Sequence, residues 1–380
     1  MKGFSLRRLL ELPPRLIFLK AGQRALSPFL RRRQKAAAGR YRNLFRQGGV
    51  PRAPGVPADF SLTGLPGAVD SAALAGALPP ERRRLISHYA AEASAHRFDL
   101  LGSGPVEVGY YTEAAGFAGR RMDMSAGAAA EGAVLEMMRR LLGTGGGAAG
   151  APGSEGKKVL YERLQSYRPI DWQLDFRSGY RWDPQAWYRD IPIGRTEGAD
   201  IKVPWELSRF QHLGAMGLAY RLEAEPQRAA ALAAEFVLQL TDWIVSNAPY
   251  CGANWSCPME AAIRAVNWLW GLKLFADSQA ITPEFSRLLN WSLYKHALFL
   301  RRNPEKRDLF VGNHYLAGLA GQIYLEAACP WMPQSRRSLN FAVREFSREI
   351  ERQFQPDGSN FEGSTGYHRL ATEIFYSASL

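Results

Sequence analysis

Residues 226–247 read PQRAAALAAEFVLQLTDWIVSN, and this stretch determines how the rest of the chain is interpreted. Its apolar residues recur every three or four positions, which is the spacing that predicts an amphipathic α-helix. The same periodicity returns in the segments 256–276, 282–301, 313–328 and 336–354. Proline, glycine and asparagine stand at the joints, as at Pro249 and Pro283, and such residues end helices. From about residue 200 onward the sequence therefore predicts antiparallel helical hairpins that curl into a solenoid or a toroid.

The composition limits the class of protein and the kind of partner. Of the 380 residues, 46% are hydrophobic and 22% are charged, which is typical of a globular protein. No apolar run approaches the roughly 18–20 residues of a membrane-spanning helix, so we predict no transmembrane segment. The net charge of +12 favours polyanions, which include nucleic acid, anionic lipid and acidic polysaccharide. Only the charge supports nucleic-acid binding, and we do not predict it.

The cysteines and the N-terminal residues carry weaker signals. Cys251, Cys257 and Cys329 are odd in number and form no CxxC pair, so they indicate neither a disulfide framework nor a zinc site. The first residues, MKGFSLRRLLELPP, interrupt every apolar stretch with charge, and we predict no secretory signal there. The leucines of this region alternate with Arg and Lys, as in a basic amphipathic helix that is either peripheral or bound to an anionic membrane surface.

Four segments combine polar side chains with aromatic residues and glycine where helix packing alone does not require them. They are KVPWELSRFQH (202–212), GANWSCPME (252–260), GNHYL (312–316) and DGSNFEGSTGYHR (357–369). Glu206 and Arg209 would share a helix face that His212 continues, and Glu260 and Arg264 would form an i,i+4 pair. Asn313 would stand near the N-cap of a helix. Each of these features, taken alone, also has a purely structural explanation as an ion pair, a helix cap or a core residue.

Taken together, KVPWELSRFQHL, GANWSCPMEAAIRAVNWLW, GNHYLAGLAG and DGSNFEGSTGYHRL resemble, in this order, the N-terminal domain of the heparinase II/III family. That family consists of lyases of acidic polysaccharides such as heparan sulfate and, in related members, alginate. The resemblance also includes PIDWQLDFRSGYRW (169–182), covers about residues 160–380, and extends less closely to residues 80–105. It implies a mainly α fold, an incomplete α/α toroid of antiparallel helical hairpins, which the family follows with a β-sandwich.

The resemblance and the composition together divide the chain into three regions. Residues 1–103 form a basic N-terminal helical region, and residues 158–380 form the toroid lyase domain. Residues 104–157 are rich in Ala and Gly, end in GTGGGAAGAPGSEG, and do not resemble the family. We therefore predict an insertion or a flexible loop between the two helical regions.

The resemblance also implies a reaction and the residues that perform it. Lyases of this family cleave a bond to O4 of a uronic acid by β-elimination, which requires neutralising the C6 carboxylate, removing the C5 proton and protonating O4. Matching positions assign Asn313 to the carboxylate and Tyr367 to proton transfer. His314 is adjacent to Asn313 and could assist as a second donor or as the base. The phenol would need cationic neighbours to act near neutrality. The candidates for these cationic neighbours are His368, Arg369 and Arg209. The predicted substrate-binding residues are Trp205, Glu206, Arg209, His212, Asn254, Trp255, Glu260, Arg264, Tyr315, Asn360, Glu362, His368 and Arg369.

Two other functions stay open on the sequence. A glycoside hydrolase on an α/α toroid would need two facing carboxylates, for which Glu206, Glu260, Asp357 and Glu362 are available. A non-catalytic module that binds anionic glycan is the second. We predict no cofactor or metal in this chain, because the metal-binding or catalytic histidine of the family belongs to its second domain. The family works in the periplasm or outside the cell, although the N-terminal residues predict no signal, and the sequence does not indicate an oligomeric state.

The last residues, TEIFYSASL (372–380), lie inside an apolar helical pattern without a glycine cap, a proline or a polar tail. We interpret this as a chain that ends before the toroid is finished and before the β-sandwich with its histidine. We therefore expect the 380-residue chain to show little or no elimination on heparan sulfate, alginate or hyaluronan. A form extended by the sandwich should be active. Robust turnover by the purified chain, measured from the ultraviolet absorbance of unsaturated uronate, would contradict this interpretation.

Overall fold

The computed structural model describes residues 14–52, 54–55, 69–112, 125–143, 155–194, 198–306 and 312–379. Its helices are α1 (Pro14–Arg46), α2 (Ser71–Ala77), α3 (Pro80–Ser94), α4 (Ser125–Leu141), α5 (Glu155–Ser166), α6 (Lys202–Ser208), α7 (His212–Leu222), α8 (Pro226–Ser246), α9 (Pro258–Leu274), α10 (Pro283–Arg302), α11 (Asn313–Ala328), α12 (Ser335–Gln353) and α13 (Thr365–Ser379). Two short antiparallel ribbons are formed by the strands β1 (Arg97–Asp99) with β2 (Pro105–Glu107) and β3 (Leu174–Asp175) with β4 (Tyr180–Arg181).

The five helices predicted from residue 226 onward are confirmed as α8 to α12, and their ends agree within two residues. Proline occupies the first turn of α8, α9 and α10, where its missing N–H costs nothing and its fixed φ favours the helix. Thr282 caps α10 by accepting a hydrogen bond from the Phe285 N–H at 3.2 Å. Local signals therefore set where α8, α9 and α10 begin.

The helices pack in two rows. Within a row, a helix is often in contact with the next but one along the chain, as α7 is with α9 and α9 with α11. One row contains α3, α7, α9, α11 and α13, each in contact with the next, and the other contains α5, α8 and α10. The hairpins α7/α8, α9/α10 and α11/α12 join helices that follow each other in the chain. This is the arrangement of the predicted incomplete α/α toroid, and the mainly α fold is confirmed.

An arginine surrounded by aromatic rings occupies the centre of the core. Arg264 on α9 is fully buried, and its guanidinium carbon lies 4.1 Å from the centre of the Trp243 ring. Its Nε donates to Nε2 of His296 at 3.0 Å, and its Nη2 donates to the backbone oxygen of Asn254 at 3.2 Å. Burial lowers the pKa of Arg264 to about 9 and holds the pKa of His296 well below its ordinary value. The group therefore joins α9 to α8, to α10 and to the loop before α9.

The Ala/Gly-rich region 104–157 is not a loop throughout. Residues 125–141 form α4, which packs against α8 and buries Val134, Met137, Met138 and Leu141. These four residues follow the i, i+3, i+4, i+7 spacing of one helix face, which outweighs the glycine and alanine of the segment. The flexible-loop alternative is therefore wrong for α4, while the glycine-rich stretch 144–154 lies outside the described residues.

The basic N-terminal region is helical in its described part. The C-terminal half of α1 packs on α10, where Tyr41 and Phe45 meet the edge of the Trp291 ring at 5.1 and 5.3 Å between centroids. Residues 1–13, including most of the leucine and arginine pattern, lie outside the described residues. Among the helices that the structure describes, α8 alone has the length and mean hydropathy of a membrane span, and 72% of its apolar window is buried inside the protein.

The close approach of α9 and α11 depends on Gly321. A Cβ atom there would lie 2.7 Å from Cβ and 2.9 Å from Cα of Ala262, which is tighter than real contacts allow. We expect Gly321→Ala to destabilise the protein by about 1–3 kcal/mol, since backbone must move to relieve the overlap. Gly318→Ala on the same helix meets nothing within 4 Å and should be neutral or stabilising by about 0.5–1 kcal/mol. Urea unfolding of both variants measures the difference, and equal stability would contradict the packing.

Candidate active site

An open cleft of about 700 Å³ lies where α6, α9, α11 and α13 meet. It is lined by Leu101, Lys202, Trp205, Glu206, Arg209, Met259, Glu260, Glu305, Gly312, Asn313, His314, Phe361, Glu362, Tyr367 and Leu370. The structure thus brings together the three predicted catalytic residues and five of the predicted substrate-binding residues. The five are Trp205, Glu206, Arg209, Glu260 and Glu362.

Asn313 is fixed at the start of α11 by a carboxylate from a distant turn. Glu362 accepts hydrogen bonds from the Asn313 backbone N–H at 3.1 Å and from its side-chain Nδ2 at 3.2 Å. Gly312 occupies the N-cap position and Asn313 is the first residue of the helix, so Asn313 lies next to the N-cap as predicted. Because Gly312 has no side chain, Glu362 supplies the acceptor and its negative charge to the positive end of the helix. The amide has two N–H bonds, and this contact uses one of them.

His314 follows Asn313, and its ring contacts a carboxylate and a thiol. Its Nδ1 lies 3.1 Å from Oε2 of Glu305 and 3.7 Å from Sγ of Cys257. The His314 side chain is 46% exposed, and both His314 and Glu305 line the cleft. Cys257 is buried beneath them at the N-cap of α9.

Arg209 is held by two carboxylates on one wall of the cleft. Its Nε and Nη2 donate to both oxygens of Glu260, at 2.7 and 2.8 Å, and its Nη1 donates to Glu206. Burial alone would lower the pKa of Arg209, but the two carboxylates outweigh it and raise that pKa. Burial raises the pKa of Glu206 even though Arg209 opposes the change. The predicted Glu260–Arg264 pair is not formed, because Glu260 binds Arg209 while Arg264 lies in the core.

Tyr367 lies in the first turn of α13 and is 50% exposed. Of its three predicted cationic neighbours, only Arg209 lines the same cleft. Arg369 pairs with Glu373 at 2.8 Å on the exposed face of α13, and Nδ1 of His368 accepts the Asn360 N–H at 3.2 Å. The prediction that His368 and Arg369 neighbour the Tyr367 phenol is therefore wrong, because consecutive residues of a helix do not share a face.

Five predicted substrate-binding residues do not line the cleft, and all of them except the half-buried His212 lie in the interior. They are His212, Asn254, Trp255, Arg264 and Tyr315. Asn254 donates to the backbone oxygen of Trp172 at 2.7 Å, and Trp255 and Arg264 belong to the buried aromatic centre. The Tyr315 hydroxyl donates to Glu345 at 3.0 Å, beneath α11. We therefore interpret these residues as supports of the cleft walls and no longer propose direct contact with substrate.

A break in the helix explains the position of His212. The helix α6 ends at Ser208, and Phe210 adopts a positive φ of 60°, so the chain changes direction before α7 begins. The ring of His212 packs against Phe98 and its Nε2 pairs with Oε1 of Gln239 at 2.9 Å. Burial lowers the pKa of His212 to about 4. The expected continuation of the Glu206–Arg209 face is therefore wrong.

Asn360 supports the cleft from behind. It is 5% exposed, and its Oδ1 accepts the Glu362 N–H at 3.0 Å, which fixes the turn that carries Glu362. It does not line the cleft, so its predicted contact with substrate is replaced by a positioning role.

Sequence reasoning missed several residues of the lining, among them Lys202 and Glu305. Lys202 lies one helical turn before Glu206 on α6, so the spacing of that motif could have revealed it. Glu305 follows α10 in a stretch without helical periodicity and gave no signal. The apolar lining residues Met259, Phe361 and Leu370 were also missed.

The comparisons with known proteins show which family this chain resembles. The sequence model of the heparinase II/III N-terminus matches residues 157–380. A heparin-sulfate lyase of Pedobacter heparinus is 28% identical over 226 residues, which are 58% of this chain and 31% of that protein. A heparin-sulfate lyase of Bacteroides stercoris is 26% identical over 249 residues, 60% of this chain and 35% of that protein. This chain therefore spans about a third of the length of these curated relatives.

Two solved structures are similar to part of this chain at lower identity. The heparan sulfate lyase HepC from Pedobacter heparinus is 22% identical, with a TM-score of 0.38 over 67% of this chain and 40% of that chain. The heparinase III BT4657 gene product is 21% identical, with a TM-score of 0.38 over 67% of this chain and 41% of that chain. Since the family match covers more than half of the chain, the protein belongs to the heparinase II/III family and contains its N-terminal domain.

Proposed function

We propose that this protein supplies the helical half of the active site of a lyase that cleaves acidic, uronate-containing polysaccharide by β-elimination. The observation that supports this most is the convergence of an amide, an imidazole and a phenol in one cleft, from Asn313, His314 and Tyr367. The relatives named as heparin-sulfate lyases make a glycosaminoglycan the preferred substrate class. Family members complete the site with a histidine from a second domain.

The amide of Asn313 suits the neutralisation of the substrate carboxylate. Removal of the C5 proton places negative charge beside a carboxylate that is already negative, and a hydrogen-bond donor lowers the energy of that state. One such donor is typically worth about 10²–10³ in rate. Glu362 holds the amide at the helix start, so the donor is in place before substrate binds.

Tyr367 suits the transfer of the proton. Its ring is half-exposed and lines the same cleft as Arg209, and proton transfer by a positioned group contributes about 10²–10⁴ in rate. His314 is adjacent to Asn313 and could serve as a second donor or as the base. Lys202 adds an ammonium group to the lining, which suits the carboxylate or sulfate groups of an anionic chain.

The carboxylates of the cleft are the observation that favours a glycoside hydrolase instead. Glu206, Glu260, Glu305 and Glu362 all belong to the lining. Each is already engaged, however, since Glu206 and Glu260 bind Arg209, Glu305 pairs with His314, and Glu362 caps α11. The products distinguish the two reactions, because only elimination creates an unsaturated uronate that absorbs in the ultraviolet. Binding of oligosaccharide without any product would favour the non-catalytic module.

Replacement of Tyr367 by Phe removes one oxygen and keeps the ring. In a form of the protein extended by the family's second domain, we expect turnover to fall by about 10²–10⁴ while the free energy of unfolding stays unchanged. Substrate affinity should also change little, because proton transfer acts in the transition state. Tyr376→Phe is the matched control, since Tyr376 lies on the same helix, is 69% exposed and is not part of the cleft lining. Near-normal turnover of Tyr367→Phe would transfer the role to His314.

Replacement of Asn313 by Ala tests the amide separately. We expect kcat to fall by about 10²–10³ and stability to fall by only about 0.5–1.5 kcal/mol. The stability loss is small because alanine keeps the backbone N–H that Glu362 accepts. The exposed Asn340 on α12 provides a control substitution to Ala that should alter neither quantity. Steady-state kinetics and urea unfolding measure both effects, and a loss of stability without a loss of kcat would assign Asn313 a structural role.

A further inference from the structure

Three groups with affinity for metal ions meet at the edge of the cleft. The Sγ atom of Cys257, a carboxylate oxygen of Glu305 and a ring nitrogen of His314 all lie within 4.8 Å of one another. They come from the start of α9, the segment after α10 and the first turn of α11, and Cys257 and His314 are 57 residues apart in the chain. Only the packing of these helices brings them together, which is why the sequence indicated no metal site.

The donor set and its spacing fit Zn²⁺. Zinc binds thiolate sulfur at about 2.3 Å and imidazole nitrogen or carboxylate oxygen at about 2.0–2.2 Å, usually with tetrahedral geometry. Those bond lengths place the donor atoms of neighbouring ligands about 3.4–3.6 Å apart. Here the sulfur lies 3.7 Å and the carboxylate oxygen 3.1 Å from Nδ1 of His314. These two separations are within a few tenths of an ångström of the zinc values, and the third, from the sulfur to the carboxylate oxygen, is at most 4.8 Å. Closing that third separation to about 3.6 Å needs only a side-chain rotation of the partly exposed Glu305.

We propose that Cys257, Glu305 and His314 form a Zn²⁺ site whose fourth position opens to the cleft. Three protein ligands with one open position are the pattern of zinc sites that bind water or a substrate oxygen. Glu305 and His314 line the cleft, whereas Cys257 is 4% exposed and closes the site from below. On binding, the thiol of Cys257 loses its proton to solvent, and thiolate and carboxylate together neutralise the ion.

The charge of the surroundings favours a cation at this place. Among the residues that line the cleft, four carboxylates face two permanent cations, Lys202 and Arg209. A divalent ion would balance this excess next to Asn313, where the proposed reaction develops negative charge. With Nδ1 bound to the metal, Nε2 of His314 keeps its proton, so the zinc-loaded histidine is a hydrogen-bond donor and not a base. The site itself stands on geometry and does not rest on the proposed lyase activity.

Metal binding can be measured on the 380-residue chain without any activity assay. After treatment with a chelator and dialysis, we expect one equivalent of added Zn²⁺ to remain bound by elemental analysis and to raise the melting temperature. Co²⁺ in its place should give the near-ultraviolet absorption of a cobalt–thiolate bond. Cys257→Ser should abolish that band and weaken zinc affinity by at least about 100-fold, since loss of a mere outer-shell partner already costs about 10–100-fold.

Two further variants make the result decisive. Cys251→Ser removes another buried free thiol, outside the cluster, and should bind Zn²⁺ and Co²⁺ as the unchanged chain does. Glu305→Gln keeps the size of a partly exposed side chain and should lose affinity with the fold intact, so it serves if Cys257→Ser fails to fold. Failure of the unchanged chain to retain zinc would overturn the proposal. Retention at undiminished affinity by Cys257→Ser or Glu305→Gln would overturn it as well.

Discussion

The wall of the cleft that α9 contributes depends on one buried cation, the guanidinium of Arg264. Taking such a group out of water is costly, and among the described residues no carboxylate forms an ion pair with it. The charge of Glu260 offsets only part of the cost, since burial still lowers the pKa of Arg264. Stacking on Trp243, the bond to a neutral His296 and the bond to the Asn254 carbonyl stabilise it instead. These partners belong to α8, to α10 and to the loop that leads into α9. The guanidinium therefore fixes α9, and with α9 the positions of Cys257 and Glu260.

The cleft is assembled outward from this centre by a few ties between distant segments. Arg209 joins α6 to α9 through Glu260, and Glu362 joins the turn before α13 to the start of α11. Asn360 in turn holds Glu362 in place. The polar residues of the four motif segments thus divide into two groups, those that face the cleft and those that hold the facing residues. Within one motif segment, the residue that faces the cleft and the residue that holds it are close in sequence, as Glu362 and Asn360 are.

The periodicity of apolar residues was sufficient to locate α8 to α12, since that spacing is a local property of the chain. Composition misled at α4, where the alanine and glycine content suggested a loop although Val134 and Met138 belong to a helical stripe. For the cleft, the motifs identified Asn313, His314 and Tyr367. They did not show which of the neighbouring motif residues face the cleft and which face away from it. One backbone angle at Phe210 turned His212 inward, and no local pattern reports such an angle. Pairings such as Cys257 with His314 depend on helix packing and were likewise beyond the sequence.

The two ion pairs of Arg209, with Glu206 and Glu260, affect how an anionic sugar would be recognised. Glu260 accepts from Nε and Nη2 of Arg209, and Glu206 accepts from Nη1. A substrate carboxylate that reached the Nη1 edge of this guanidinium would therefore have to replace Glu206. Binding would then be an exchange of one carboxylate for another, and its free energy would be a small difference between two similar ion pairs. Burial raises the pKa of Glu206, so this carboxylate is held at a cost that an exposed carboxylate does not pay. Such a site selects for the fit of the incoming group more than for its charge.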